Sequence, residues 1–193
     1  MIFLPSSQHR RMPWKNGLGE TTEIAVYPPH ASLTHFDWRI SMARVTASAP
    51  FSLFPDIDRT LTVLEGGGLS LSIDGGAPVR LDTASPPFSF AGDAVTDVLL
   101  EGDNLLDFNV MTRRGQFAQQ VTRLSLDRPL TKRVDSDVVL VFCIDGELVI
   151  SSAQEQVRLK KQDAMLCDAT PVTLELTGST AAELLWVSLS RLA

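Results

Sequence analysis

Apolar and polar residues alternate along most of the chain in segments of about five to nine residues, which is the pattern of half-buried β-strands. In residues 37–45, Trp38, Ile40 and Met42 are interleaved with polar or charged side chains. Further segments of this kind end in Gly or polar turns and lie at 59–67, 69–76, 87–93, 95–102, 105–112, 138–146, 147–152, 156–161, 164–168, 172–178 and 182–190. Short strands at this spacing, with no pattern typical of a long helix, predict an all-β sandwich or barrel.

The two halves of the chain share one order of strands and glycine turns. Residues 61–82 align with 140–161, and 88–111 align with 164–189. This repeat predicts two copies of one β-barrel, residues 1–115 and 116–193, connected by 112–130. We expect the deeper polar cavity in the first copy, because residues 141–150 contain no charged residue before Asp145.

Composition and charge exclude several classes of protein. The 193 residues carry a net charge of −6, and no run of Lys and Arg exceeds a pair, so nucleic-acid binding is not expected. No apolar run reaches the roughly 18 residues of a membrane helix, and too few apolar residues precede Pro5 for a signal peptide. Cys143 and Cys167 favour two buried free thiols, although a disulfide in an oxidising compartment is the alternative. We expect a cytoplasmic protein.

Residues 11–24, "RMPWKNGLGETTEI", concentrate glycine and polar side chains. Gly17 and Gly19 allow backbone angles that other residues avoid and a close approach of other groups. The surrounding donors and acceptors are Lys15, Asn16, Thr22 and Glu23. The segment is either a polar surface loop or a binding loop.

The V-L-E-G sequence at 63–66, followed by Gly67, a strand and Asp74-Gly75, resembles the first metal-binding motif of the cupin family. In that motif two His and one Glu bind a metal together with a later His. Counting back from Gly66 puts Arg59 at the Glu position. The positions of the His ligands correspond to Leu53 and Pro55, or Ser52 and Phe54, and to Val95. These side chains are poor metal ligands, and His9, His30 and His35 lack a metal-binding spacing, so we expect no metal and no cofactor.

A closer resemblance is to the HutD/Ves family, and it is carried by five blocks in order: 12–24, 36–45, 49–71, 90–93 and 107–115. Leu18 and Asp56 depart from the family pattern. The resemblance implies an all-β, bicupin-like double jelly roll of RmlC-like cupin barrels. It also implies a link to bacterial histidine utilisation and its regulation, without an established enzymatic activity.

A cationic cavity without metal suits a small carboxylate. The expected cavity residues are Arg59, Asn109 and Arg113, with Lys15, Asn16, Thr22 and Glu23 closing the mouth. The predicted function is therefore a non-enzymatic, regulatory protein that binds an anion such as urocanate or formylglutamate. The alternative is a metal-free cupin enzyme of the isomerase or epimerase type acting on a small carboxylate. A second alternative is that Arg59 merely pairs with Asp56 or Asp58 at the surface. Neither a nucleic-acid nor a membrane partner is expected, and a homodimer is left open.

Overall fold

The protein consists almost entirely of antiparallel strands in the computed structural model, which describes residues 1–14, 17, 19–168, 171–178 and 182–192. The strands, in chain order, are β1 (Ile2–Leu4), β2 (Arg10–Pro13), β3 (Gly19–Tyr27), β4 (Trp38–Val45), β5 (Ile57–Gly66), β6 (Leu69–Ile73), β7 (Val79–Leu81), β8 (Phe88–Ala91), β9 (Thr96–Leu100), β10 (Leu105–Arg113), β11 (Phe117–Leu126), β12 (Leu130–Val134), β13 (Val138–Asp145), β14 (Leu148–Ser151), β15 (Gln156–Leu159), β16 (Ala164–Cys167), β17 (Val172–Gly178) and β18 (Ala182–Arg191). A single 3-10 turn, Ser6–Gln8, is the helical element of these residues. None of their helical segments is long and apolar enough to span a membrane.

The chain divides into two compact units. The N-terminal unit is Arg10–Phe117, and the C-terminal unit combines Ala118–Ala193 with Met1–His9. The sequence-based division had assigned the first nine residues to the N-terminal barrel. In the structure Ile2–Leu4 pair with Leu166–Ala164 at the edge of a C-terminal sheet. Such long-range pairing leaves no trace in local sequence pattern.

The N-terminal unit is a sandwich of two sheets, β2-β3-β4-β10-β5-β8 and β7-β6-β9. Its core is built by buried apolar side chains from both sheets. The fully or nearly fully buried members of this cluster are Val45, Leu61, Val63, Leu69, Leu71, Leu81, Val98 and Leu105. The alternating segments of the sequence thus place every second side chain between the sheets.

The C-terminal unit has the same plan, with sheets β1-β16-β13-β18-β11 and β12-β17-β14-β15. The order β11-β18-β13-β16 repeats β4-β10-β5-β8, and β17-β14-β15 repeats β9-β6-β7. This shared strand order identifies both units as jelly rolls and confirms the predicted double jelly roll. Cys143 and Cys167 are buried in the C-terminal core and are not joined in a disulfide.

The predicted connection at 112–130 is wrong in its detail. β10 continues to Arg113, and residues 117–126 form β11 at the edge of a sheet. The sequence of this strand resembles a linker because polar side chains, such as Gln119, Gln120 and Arg123, interrupt its apolar residues without strict alternation. An edge strand tolerates such side chains, because one of its sides is not covered by a neighbouring strand.

The two units differ where β12 borders its sheet. The corresponding residues of the N-terminal unit, 46–54, are all described and form no strand. Pro50 and Pro55 lie in or beside this segment, and proline cannot donate to a strand ladder. The segment is held by single hydrogen bonds: the Phe51 amide donates to the Thr96 carbonyl oxygen (2.9 Å), and the Leu100 amide donates to Ser48 Oγ (2.9 Å).

Candidate functional site

A cavity of about 530 Å³ lies in the N-terminal unit, between the inner face of the β4-β10-β5 sheet and the irregular segment 46–54. Its walls are largely apolar and aromatic, and its floor is polar and charged. The residues that line the cavity include Trp14, Thr21, Arg39, Ser41, Phe51, Phe54, Arg59, Asp107 and Asn109. A volume of this size fits a small organic molecule.

Strand register brings the polar side chains of the floor together. Arg39 of β4 and Arg59 of β5 both pair with Met111 of the central strand β10. Two residues further along, Ser41 pairs with Asn109. Since residues two apart on a strand share a face, the polar positions of three neighbouring strands point into the same space.

Arg59 is buried in an aromatic environment. Its side chain is 5% exposed, and its guanidinium carbon lies 4.7, 5.0 and 5.8 Å from the ring centres of Phe51, Phe90 and Phe54. The rings attract the cation through their negative faces and partly offset its loss of hydration. Nη2 donates to Asn109 Oδ1 (2.8 Å), whereas Nε has no hydrogen-bond partner among the residues that the structure describes.

The electrostatic environment of Arg59 has three contributions. Burial lowers the pKa of the guanidinium to about 10, the negative charge of Asp107 opposes this shift, and the positive charge of Arg39 adds to it. Arg59 is still protonated at neutral pH. A buried cation that keeps an unpartnered N–H is a costly arrangement, and an anion in the cavity would relieve the cost.

Asp107 is completely buried next to this cation. Its Oδ1 accepts a hydrogen bond from Asn109 Nδ2 (2.5 Å), so Asn109 joins the carboxylate to Arg59. Oδ2 has no partner. Burial raises the pKa of the carboxyl to about 7, against the opposing effects of Arg59 and of hydrogen bonds from Ala43 and Asn109. Near neutral pH this group exists in both protonation states.

Arg39 is the second buried cation of the floor. Its Nε donates to Glu23 Oε2 (2.7 Å), and the two side chains are only 4% and 11% exposed. Nη2 of Arg39 has no hydrogen-bond partner in the described ranges. Glu23, which the sequence predicted at the mouth of the cavity, forms its ion pair with Arg39. Arg59 therefore has no direct carboxylate partner among the hydrogen bonds of the described residues.

Thr22 does not line the cavity, whereas its neighbour Thr21 does and accepts the indole N–H of Trp14 (2.8 Å). Adjacent residues of a strand point to opposite faces, so Thr21 faces the cavity and the predicted residue Thr22 faces the other side of the sheet. The predicted mouth residues Lys15 and Asn16 lie outside the described residues.

Arg113 also lies away from the cavity lining. Its Nε and Nη2 donate to the carbonyl oxygen of Phe36 (3.2 and 2.9 Å), which makes it a support for the chain before β4. The surface alternative for Arg59 is wrong as well, because Arg59 is buried, while Arg114 is the residue that pairs with Asp58 (2.8 Å).

Glycines shape the loop between β2 and β3. A Cβ on Gly19 would lie 2.4 Å from the carbonyl oxygen of Arg44 and 2.9 Å from the ring of Trp14. Gly17 has φ +71°, a left-handed conformation that glycine adopts without strain. The glycines therefore allow Trp14 to pack closely against the strand and to face the cavity.

The C-terminal unit lacks this polar floor at the matching positions. The pairing of β5 with β10 and the pairing of β13 with β18 each contain one bulged residue that has no opposite residue in the register. These residues are Leu64 on β5 and Ile144 on β13. Arg59 lies five residues before the first, and Val139 lies five residues before the second. By the same count, the residue in the place of Asn109 is Trp186, which pairs with Val141. The C-terminal unit therefore carries an apolar side chain and an indole where the N-terminal unit has Arg59 and Asn109.

The cupin metal-ligand positions that line the cavity, Ser52, Phe54 and Arg59, carry side chains that are poor metal ligands. Leu53 and Val95 are exposed, while Ser52 and Phe54 line the wall. Over the described ranges, no three His, Cys, Asp or Glu side chains are grouped so as to hold a metal ion.

We expect purified protein to contain less than about 0.1 equivalent of zinc, iron, manganese or nickel per chain, since the floor offers guanidinium groups and one hydrogen-bonded carboxylate. Elemental analysis after dialysis measures this content. About one equivalent of metal, lost on replacing His30 or His35, would contradict the expectation.

Two comparisons of sequence place the chain in a family. The sequence model of the HutD family matches residues 6–186. The chain belongs to the HutD family. Its relatives include Protein Ves of Citrobacter koseri, 42% identical over 143 residues, which are 71% of this chain and 71% of that protein.

Solved structures related to this HutD-family chain have the same fold. A conserved protein of unknown function, PA5104 from Pseudomonas aeruginosa PAO1, superposes with a TM-score of 0.91 at 30% identity, covering 98% of both chains. HutD from Pseudomonas fluorescens SBW25 superposes with a TM-score of 0.84 at 27% identity, covering 100% of this chain and 99% of that one. YlbA from E. coli, at 11% identity and a TM-score of 0.70, shares the fold alone.

Arg39 is the main floor residue that sequence reasoning missed in this HutD-family member. The alternation of residues 37–45 drew attention to Trp38, Ile40 and Met42 as the buried face. In the structure both faces of β4 are buried, and the polar face lines the cavity. The alternation of residues 37–45 also indicates this polar face, and Arg39 could have been found by assigning that face to the cavity.

Proposed function

We propose that this protein is a non-enzymatic protein that binds a small carboxylate in the cavity of the N-terminal unit, and that this binding takes part in the regulation of histidine utilisation. The observation that carries the proposal is the pair of buried guanidinium groups, Arg59 and Arg39, each with an N–H that has no partner. Guanidinium matches the planar, two-oxygen geometry of a carboxylate, and the surrounding aromatic wall excludes water from the contact.

The charges of the floor support an anionic ligand. Arg39 is offset by Glu23, while Arg59 faces the partly protonated Asp107. The floor is therefore neutral or carries one positive charge, depending on the protonation of Asp107. An anion of about the size of urocanate or formylglutamate fits the available volume.

The link to histidine utilisation rests on membership of the HutD family. The solved HutD from Pseudomonas fluorescens is described in a formate condition. Formate is the smallest carboxylate, which makes it the simplest probe of the two guanidinium groups.

Calorimetric titration with formate, glutamate, urocanate and N-formylglutamate tests the proposal. We expect at least one of these to bind with a dissociation constant on the order of micromolar to millimolar, because a few charge-assisted bonds must offset the entropy of association. Arg59→Lys loses the bidentate geometry and is expected to weaken binding by about tenfold or more, with the fold retained.

The matched control is Arg44→Lys, which changes the same side chain on an exposed position of β4 (48% exposed). We expect this variant to bind like the wild-type protein. If none of the four compounds binds the wild-type protein, or if Arg59→Lys binds as tightly as Arg44→Lys, the proposed site is wrong. Circular dichroism and thermal melting of each variant verify that the fold is intact.

A metal-free acid–base enzyme is the second candidate, and Asp107 is the observation that favours it. A buried carboxyl with a pKa near 7 is suited to exchange protons with a bound molecule. His30 and His35 are exposed, and Tyr27 stacks on Trp38 (5.8 Å between ring centres). NMR spectra of urocanate and N-formylglutamate incubated with protein in D₂O would reveal turnover or exchange that Asp107→Asn abolishes.

A further inference from the structure

Asp107 leaves one carboxylate oxygen without a partner in a site that already contains two cations. Oδ1 is occupied by the amide of Asn109, and Oδ2 is sealed from solvent without a hydrogen bond. The buried charged groups on the strands around it are Arg59 on β5, Arg39 on β4 and Glu23 on β3. Asn109, on the same strand, is neutral.

A ligand anion in the cavity would be repelled by the ionised carboxylate of Asp107. A ligand carboxylate that contacts Arg59 and Arg39 lies next to the same positive charges that stabilise ionised Asp107. Two like charges in a buried site repel each other strongly, and one of the two groups then binds a proton. A proton bound to Oδ2 removes the repulsion and satisfies the unpartnered oxygen, whereas an N–H donated by the ligand satisfies the oxygen and offsets part of the repulsion.

We propose that Asp107 is a specificity-determining residue, whose Oδ2 must receive a hydrogen when a carboxylate occupies the two guanidinium groups. The hydrogen is either an N–H of the ligand or a proton taken from solvent. The inference rests on the proposed function, since it concerns the same cavity. It names the ligand class more narrowly, as a carboxylate that carries a nearby N–H donor, such as an N-acylated amino acid.

The protonation equilibrium of the free protein supports this arrangement. Burial already brings the pKa of Asp107 to about 7, so a proton is available at little cost near neutral pH. A bound anion raises this pKa further. When a carboxylate without an N–H binds, the protein therefore takes up close to one proton at pH 8 and almost none at pH 5.5. Its affinity falls by up to tenfold per pH unit above pH 7.

Proton uptake is measured by titrating the whole protein calorimetrically in buffers of different ionisation enthalpy. Formate and glutarate, which have no N–H, are compared at pH 8 with N-formylglutamate, which has an amide N–H. We expect about one proton per formate or glutarate, and less than half of that for N-formylglutamate. The variant Asp107→Asn should bind formate without proton uptake, whereas Asp97→Asn, changed on an exposed position of β9, should behave as wild type.

The possible results separate this inference from the proposed function. If none of the carboxylates binds, the proposed function fails. If formate binds without proton uptake at pH 8, the proposed carboxylate site is retained and the proposed role of Asp107 is wrong. Proton uptake that persists in Asp107→Asn, or that is equal for glutarate and N-formylglutamate, overturns it as well.

Discussion

Replacing Asp107 by Asn is expected to stabilise the protein by up to about 4 kcal/mol at pH 8 and to change its stability little at pH 4. Folding raises the pKa of this carboxyl from 3.8 to about 7, a difference of about 3 units, and each unit corresponds to about 1.4 kcal/mol. Because the pKa is higher in the folded state than in the unfolded state, the contribution of this carboxyl to the free energy of unfolding is largest below pH 4. That contribution is lost as the pH rises through 7.

Urea denaturation of wild-type protein and of Asp107→Asn between pH 4 and pH 8 measures this effect. The difference between the two free energies of unfolding should grow over the interval from pH 4 to pH 7 and then level off. Asp97→Asn, on the exposed face of β9, should follow the wild-type curve. Parallel curves for Asp107→Asn and wild type would show that Asp107 titrates normally, contrary to the burial argument.

Replacing Glu23 by Gln is expected to lower the free energy of unfolding by about 1 to 3 kcal/mol and to strengthen formate binding. The substitution removes the negative charge that faces buried Arg39 and leaves a neutral amide as its partner. A cation that has lost its counter-ion in the protein gains more from a ligand anion. Stability and affinity should therefore change in opposite directions.

Thermal or urea denaturation and calorimetry with formate measure the two effects in the same preparation. Glu20→Gln is the matched control, since Glu20 lies on the same strand and pairs in register with the exposed residue Arg44. A loss of both stability and formate binding in Glu23→Gln would mean that Glu23 contributes to the binding geometry, as the sequence had predicted. Unchanged stability would mean that the ion pair with Arg39 contributes nothing.

Local sequence pattern was sufficient for the strands, the turns and the repeat. Alternation and glycine turns located β5 and β6, and the matching halves of the chain predicted two copies of one β-barrel, which the strand orders of the two units confirm. The jelly-roll type and the inward position of Arg59, counted back from Gly66, were implied by the resemblance to the cupin motif. The strands and turns depend on the period of two along a strand and on turn chemistry, and both are local properties of the chain.

Tertiary structure decided which groups meet Arg59 and what state they adopt. Alternation in β4 does not tell its two buried faces apart, so the inward position of Arg39 depends on the neighbours that the register assigns to it. Glu23 on β3 likewise meets Arg39 because β3 pairs with β4, whereas β4 and β10 lie between β3 and the strand of Arg59. The raised pKa of Asp107 arises from complete burial, to which residues distant in sequence contribute. The sequence by itself determined the strands and the repeated fold, whereas the pairing of charges in the cavity required the assembled sheets, because long-range register and desolvation are not encoded in any local segment.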